Sequence, residues 1–421
     1  MEKLRIQGPC RLEGVIRASG AKNAALPILA ATLLTDEAVS LRYLPKVRDI
    51  RTMIRLLDHL GVKSEEEGDL ITLKVGGNGK PDDAPYDLVK TMRASVLVLG
   101  PLLARRGHAR VSLPGGCAIG VRPVDLHLAG LEALGAEVEL EHGYIEARCP
   151  GLKGNRFRFP SRTVGGTENV MMAATLAEGV TVLENCACEP EIVDLARLLV
   201  SMGAKIEGAG TDTIEIHGVK SLGGAVHDVI PDRIEAGTYL IGAAMTGGDV
   251  TVEGTQESHL APLLEKLNEV GAEVIVSENS IRVRGGDGLR PRGIVTEPHP
   301  GFPTDLQAQY TAMMTQADGR STISETVFEN RFQHVPELAR MGAKIRVDHG
   351  TYARVEGATP LSGTTVMATD LRASACLVLA GLVAEGETIV DRIYHLDRGY
   401  EKMEEKLQAL GAAVERIRDV S

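Results

Sequence analysis

The chain reads as an α/β protein made of six copies of one unit, and three observations predict this. A short phrase recurs as Leu60-Gly61-Val62-Lys63, Leu134-Gly135-Ala136-Glu137, Met202-Gly203-Ala204-Lys205, Val270-Gly271-Ala272-Glu273, Met341-Gly342-Ala343-Lys344 and Leu410-Gly411-Ala412-Ala413. Its glycines stand 74, 68, 68, 71 and 69 residues apart, a period that defines a structural repeat. Each phrase closes an amphipathic helix, as Val47, Ile50, Ile54, Leu57 and Leu60 show in the first copy and Tyr400, Met403, Leu407 and Leu410 in the last. A second kind of helix precedes each amphipathic one, over 23–34, 94–104, 169–177, 236–245, 306–314 and 373–384, and is apolar on nearly all sides.

Each element follows from these patterns. The phrase glycine is the left-handed cap of the amphipathic helix, and a strand follows it. The all-apolar helices must be buried, so they form the inside, with sheets and amphipathic helices outside. A turn and a strand follow each buried helix, the strands starting near Val39, Val111, Val182, Val252, Ile323 and Ile389. An open solenoid needs polar end repeats. The first and last copies resemble the middle ones, which predicts closed domains. A boundary near Val229-Ile230-Pro231 leaves three copies on each side, and the strand over 2–7 fits either half.

Composition narrows the partners. The chain has 421 residues, enough for two domains with full cores. Only 3% of residues are aromatic and there is no Trp, which argues against stacking on single-stranded nucleic acid. A net charge of −11 argues against a bulk polyanion. The cysteines (Cys10, Cys117, Cys149, Cys186, Cys188, Cys376) follow neither a disulfide framework nor zinc spacing, so reduced thiols are expected. The N-terminus has no apolar signal core and no apolar run is long enough for a membrane span, so a cytoplasmic protein is expected. Nucleotide-binding glycine motifs, HExxH and GxSxG are absent.

The copies serve as controls for one another. From strand marker to capping glycine they span 22, 24, 21, 19, 19 and 22 residues. The longest, the second, carries Pro114-Gly115-Gly116-Cys117-Ala118-Ile119-Gly120-Val121-Arg122, and a helix is expected from about Pro123. A thiol between glycines is accessible, and a guanidinium five residues on stabilises a thiolate or an anion beside it. Basic residues (Lys22, Arg93, Arg372) stand where buried helices begin, and Arg331 and Arg398 lie in the loops equivalent to that of Cys117. The helix dipole disfavours cations at N-termini, so capping alone does not explain them. Facing helix N-termini would form an anion cleft between the domains, suited to phosphate or carboxylate.

These residues resemble a known family. Gly20-Ala21-Lys22-Asn23, Met92-Arg93-Ala94-Ser95, Leu113-Pro114-Gly115-Gly116-Cys117, Arg122-Pro123-Val124-Asp125-Leu126-His127, Pro303-Thr304-Asp305-Leu306, Glu325-Thr326-Val327-Phe328-Glu329-Asn330-Arg331, Thr369-Asp370-Leu371-Arg372 and Asp397-Arg398-Gly399-Tyr400 are similar to the motifs of UDP-N-acetylglucosamine 1-carboxyvinyltransferases, over essentially the whole chain. The resemblance implies a two-domain inside-out α/β barrel, with an N-terminal domain over 22–229 and a discontinuous domain of 1–21 plus 230–421. It implies transfer of an enolpyruvyl group from phosphoenolpyruvate to UDP-N-acetylglucosamine, the first committed step of peptidoglycan precursor synthesis, with no cofactor and no metal. Lys22, Asn23, Cys117, Arg122, Arg331, Asp370, Arg372 and Arg398 would surround phosphoenolpyruvate. Arg93, Arg122, Pro123, Val124, Asp125, Leu126, His127, Thr163, Val164, Gly165, Asp305 and Val327 would hold the UDP-sugar. Cys117, Asp305, Lys22 and Arg398 would be catalytic, with Cys117 as general acid and site of a covalent phosphoenolpyruvate adduct. Arg48 stands where the family usually has Lys, Ser161-Arg162 where it usually supplies Lys, and Thr163 where Ser is usual. The alternatives are 3-phosphoshikimate 1-carboxyvinyltransferase, disfavoured by Cys117 and the stretch from Arg122 to His127, and a non-catalytic UDP-sugar-binding paralogue.

Overall fold

The computed structural model describes residues 2–76, 83–113 and 124–418. The chain divides into two compact units, one drawn from residues 20–230 and one from residues 1–19 with 231–421. Each has its own hydrophobic core. Among the described residues there are six four-stranded sheets, one centred on each repeat.

All six sheets share one plan. In the third repeat, Val180–Glu184 pairs in parallel with Arg156–Arg158 on one side. On the other side it pairs antiparallel with Thr213–His217, which closes a hairpin with Lys205–Glu207. Alternation of apolar and polar residues gives each sheet a buried face, as in Asp249–Glu253, where Val250 and Val252 are buried. The strands begin two or three residues before the apolar markers in five copies, because an exposed or half-buried residue opens each: His108–Ser112, Val180–Glu184, Asp249–Glu253, Arg320–Ser324 and Gly386–Asp391. Val180 is the one apolar opener, and it is exposed.

The sixth sheet completes the plan with a strand from the other end of the chain. Gly386–Asp391 pairs antiparallel with Glu2–Gly8, which pairs antiparallel with Ala413–Arg418. Glu13–Arg17 likewise provides the parallel edge of the fourth sheet. The strand over 2–7, which fitted either half by its pattern, therefore lies in the unit of residues 231–421.

The apolar helices are the inner layer: Lys22–Ala31, Leu99–Arg106 and Val164–Ala174 in one unit, and Arg233–Met245, Gln307–Met314 and Leu371–Val383 in the other. Every residue from Ile234 to Met245 is buried. Burying one large apolar side chain contributes about 1.5–3 kcal/mol, so these helices are the main stabilising element. Several are prefaced or extended by 3-10 turns, at Thr32–Leu34, Arg93–Val98 and Thr304–Leu306. Each unit is thus built of helix-backed sheets, without a closed barrel of hydrogen-bonded strands among the described residues.

Outer helices such as Arg48–His59 and Pro190–Ser201 keep one side exposed. All six phrase glycines have positive φ, from 89° to 105°. Each accepts the left-handed conformation that an L side chain resists, which is why the phrase recurs. The helix after the Cys117 loop begins at Asp125, two residues later than its pattern suggested, with Val124 as its N-cap residue.

Candidate active site

Each unit gathers polar side chains where its buried helices begin. In the unit of residues 20–230, Lys22 is the first residue of its helix. Its Nζ lies 3.4 Å from Asp49 Oδ2, and the two side chains are 11% and 6% exposed. Asp49 lies in the first turn of the helix Arg48–His59, so an acid in one first turn offsets a cation placed against the dipole of another. Asn23 is half-buried beside Lys22.

Arg93 opens the 3-10 turn of the second repeat and acts on His127. His127 is buried, and Asn169 Nδ2 stands 3.1 Å from its Nδ1. The same amide binds Val96 O, and its oxygen accepts from Gly100 N at 2.7 Å. Asn169 Nδ2 can only donate, so His127 Nδ1 accepts and the ring proton sits on Nε2. Burial, and then the charge of Arg93, push the His127 pKa down to about 4. Thr163 caps the helix Val164–Ala174, its hydroxyl accepting from Gly166 N at 3.2 Å. That cap needs a hydroxyl, and Thr supplies it as Ser would. Gly165 lies against the imidazole: a Cβ there would stand 3.0 Å from His127 Cε1. Val124 and Leu126 are half-buried, while Asp125, Val164, Ser161 and Arg162 are exposed.

In the other unit Asp305 is the centre. Arg331 Nη2 donates to its Oδ1 at 2.8 Å and Arg372 Nη2 to its Oδ2 at 2.7 Å. The arginine side chains are only 3% and 5% exposed, against 24% for Asp305. Burial is the largest single influence on Arg372 and would lower its pKa, but Asp305, Tyr400 and Asp232 together outweigh it and the pKa is raised. Arg331 and Arg372 also face the rings of Phe328 and Tyr400. Asp370 caps its helix, its Oδ1 accepting from Arg372 N and Ala373 N at 2.8 and 3.0 Å. Arg398 ends the 3-10 turn Leu396–Arg398, and the preceding Asp397 is bound by Arg416. Val327 donates its N–H to Glu325 Oε1 at 2.9 Å. Cys117, Arg122 and Pro123 lie outside the described residues.

Two carrying residues escaped the sequence reading. Asn169 sits inside an apolar helix, where an isolated amide between Glu168 and Val170 was the available signal. Glu325 opens one of the motifs that carry the resemblance, with no role assigned to it there. Among the described residues, no cluster of three or more His, Cys, Asp or Glu side chains could hold a metal ion, and no helix is long and apolar enough to cross a membrane. The arrangement suits anions: cations at helix beginnings, one carboxylate held between two guanidiniums, and a neutral histidine with a donor N–H.

A family model described as EPSP synthase (3-phosphoshikimate 1-carboxyvinyltransferase) matches residues 6–407. The chain is 58% identical over 421 residues to a UDP-N-acetylglucosamine 1-carboxyvinyltransferase of Koribacter versatilis, covering 99% of this chain and 97% of the relative. It is also 58% identical over 419 residues to one of Solibacter usitatus, covering 99% and 100%. Among solved structures, the enolpyruvyl transferase NikO from Streptomyces tendae superposes with a TM-score of 0.87 at 27% identity, over 99% of both chains. An EPSP synthase from Acinetobacter baumannii superposes at 0.77 with 18% identity over 99% and 100%, a likeness of fold alone. With end-to-end matches at these identities, the chain belongs to the UDP-N-acetylglucosamine 1-carboxyvinyltransferases of the enolpyruvyl transferase family.

Proposed function

We propose that this protein transfers the enolpyruvyl group of phosphoenolpyruvate to the 3-hydroxyl of UDP-N-acetylglucosamine and releases phosphate, the first committed step of peptidoglycan precursor synthesis. The observation that carries this is full-length identity of 55–58% to relatives bearing that name. The 3-phosphoshikimate reaction is less supported, since the solved EPSP synthase shares the fold at only 18% identity. Both substrates are cytoplasmic metabolites, and we place the reaction there.

The chemistry asks for an acid at carbon and a base at oxygen. Protonation of the methylene carbon makes C2 electrophilic, and the sugar oxygen bonds to it while losing its proton. The tetrahedral adduct then loses phosphate from C2 and a proton from the new methyl group, restoring the double bond. In our reading Cys117 delivers the first proton and also forms a covalent adduct with phosphoenolpyruvate. Asp305 receives the hydroxyl proton. Both Asp305 oxygens accept from arginine, so a sugar hydroxyl must share or displace one of those contacts. Positioned acid and base groups each contribute about 10²–10⁴ in rate. Lys22, Arg122, Arg331, Arg372 and Arg398 supply positive charge for phosphate and carboxylate, and preorganised charge of this kind is usually the larger contribution.

The test is phosphate release from phosphoenolpyruvate, with UDP-N-acetylglucosamine and shikimate 3-phosphate as competing acceptors. Release that depends on the UDP-sugar is expected, with strong loss in Cys117→Ala and partial recovery in Cys117→Ser. Release with shikimate 3-phosphate alone would overturn the assignment, and wild-type rates in both variants would remove Cys117 from the mechanism.

A further inference from the structure

Glu325 is buried, 2% exposed, immediately after the strand Arg320–Ser324, and both of its carboxylate oxygens are engaged. Oε1 accepts from Val327 N at 2.9 Å, Phe328 N at 3.0 Å and Thr296 Oγ1 at 2.8 Å. Oε2 accepts from Thr304 Oγ1 at 2.9 Å. Thr296 strengthens the first end, its hydroxyl accepting from Thr326 N at 3.0 Å. One end of the carboxylate therefore holds the backbone of the loop that continues to Arg331. The other end holds Thr304, the residue before Asp305. Arg331 closes the ring by binding Asp305.

We propose that Glu325 is a positioning residue that fixes the Val327 loop and the Asp305 turn in one mutual geometry. This rests on the reading of Val327 as sugar-facing and Asp305 as the base. A buried carboxylate offers two acceptor oxygens and no donor, which matches four converging donors as no neutral side chain does. Each end predicts its own kinetic effect. Thr304→Val frees the Asp305 turn and leaves the loop held, so kcat falls with KM for the UDP-sugar near wild type. Thr296→Val loosens the loop and leaves Thr304 held, so KM rises with kcat nearly kept. Losing a hydrogen bond to the buried carboxylate amounts to about 10- to 100-fold in the affected constant, and Thr296→Val also deprives Thr326 N of its acceptor. Glu325→Ala releases both ends, and a displacement near 1 Å at the reacting atoms costs about 100-fold in kcat/KM. Glu325→Gln keeps one carbonyl oxygen for the three donors of Oε1, while its amide can donate to Thr304 Oγ1, so it recovers most of the loss.

The experiment pairs these kinetics with amide hydrogen exchange, which needs no turnover. Faster exchange in both the 326–331 and 304–306 segments is expected for Glu325→Ala, in only one of them for each threonine variant, and in neither for Glu325→Gln. Unchanged exchange in Glu325→Ala, or identical kinetic patterns for the two threonine variants, would overturn the proposal. Wild-type protein that releases no phosphate in the presence of the UDP-sugar would overturn the transfer reading instead, and the exchange pattern would still decide the role of Glu325.

Discussion

Replacing His127 by Gln should remove a defined part of the acid sensitivity of the unit it belongs to. The folded imidazole has a pKa of about 4, against 6.5 for a free histidine, because burial and then Arg93 disfavour its charged form. A depressed folded pKa means that the unfolded chain binds the proton more tightly. The stability is therefore complete above pH 6.5, begins to fall below it, and is fully lost near pH 4. A gap of that size corresponds to about 3 kcal/mol in all, of which about 2 kcal/mol disappears between pH 7 and pH 5. A Gln side chain can accept from Asn169 Nδ2 as Nδ1 does, yet it has no proton to gain, so its variant should lack that increment. The assay is urea unfolding at both pH values followed by far-UV circular dichroism, since the chain has no Trp to report by fluorescence. His334, also pushed down to about 4 by burial, adds a comparable slope in the other unit and serves as an internal reference. An equal loss between pH 7 and 5 in wild type and variant, or a His127 Cε1 proton titrating near 6.5 by NMR, would refute the reasoning.

Two further substitutions test the site. Asp305→Ala leaves the buried guanidiniums of Arg331 and Arg372 facing each other, so it should cost about 3–5 kcal/mol in stability as well as about 10²–10⁴ in turnover; Asp305→Asn, which keeps one acceptor oxygen, should lose similar activity with less stability, as thermal unfolding beside phosphate release will show. Gly165→Ala places a methyl group 3.0 Å from His127 Cε1 and should raise KM for the UDP-sugar about tenfold through a displaced ring, while unchanged steady-state kinetics would detach that ring from the sugar site.

The repeat was legible because its signal is local. A left-handed glycine after an apolar helix repeat is set by steric exclusion within a few residues, and all six behave alike. The inner helices were legible for the same reason, since burial on all sides leaves no polar stripe. Strand starts were less so, because the solvated first residues of Arg320–Ser324 or Gly386–Asp391 carry no apolar mark. Pairings over long separations leave no local trace. Nothing near Glu325 announces Thr304 as its partner, and nothing near Asn169 announces Val96, Gly100 and His127. Asp370, grouped by resemblance with the phosphoenolpyruvate residues, engages its carboxylate in capping the helix that carries Arg372.

The strand Glu2–Gly8 has a consequence for biogenesis. Arg5 and Glu415 sit across from each other although 410 residues separate them along the chain. The ribosome therefore emits this ribbon long before either of its flanking partners, Gly386–Asp391 and Ala413–Arg418. In that interval both of its edges are open, able to recruit another nascent polypeptide until those partners emerge. Substitutions that make Glu2–Gly8 stickier would thus lower yield in the cell while leaving the purified catalyst untouched, a liability set by the order of synthesis and remote from any reacting atom.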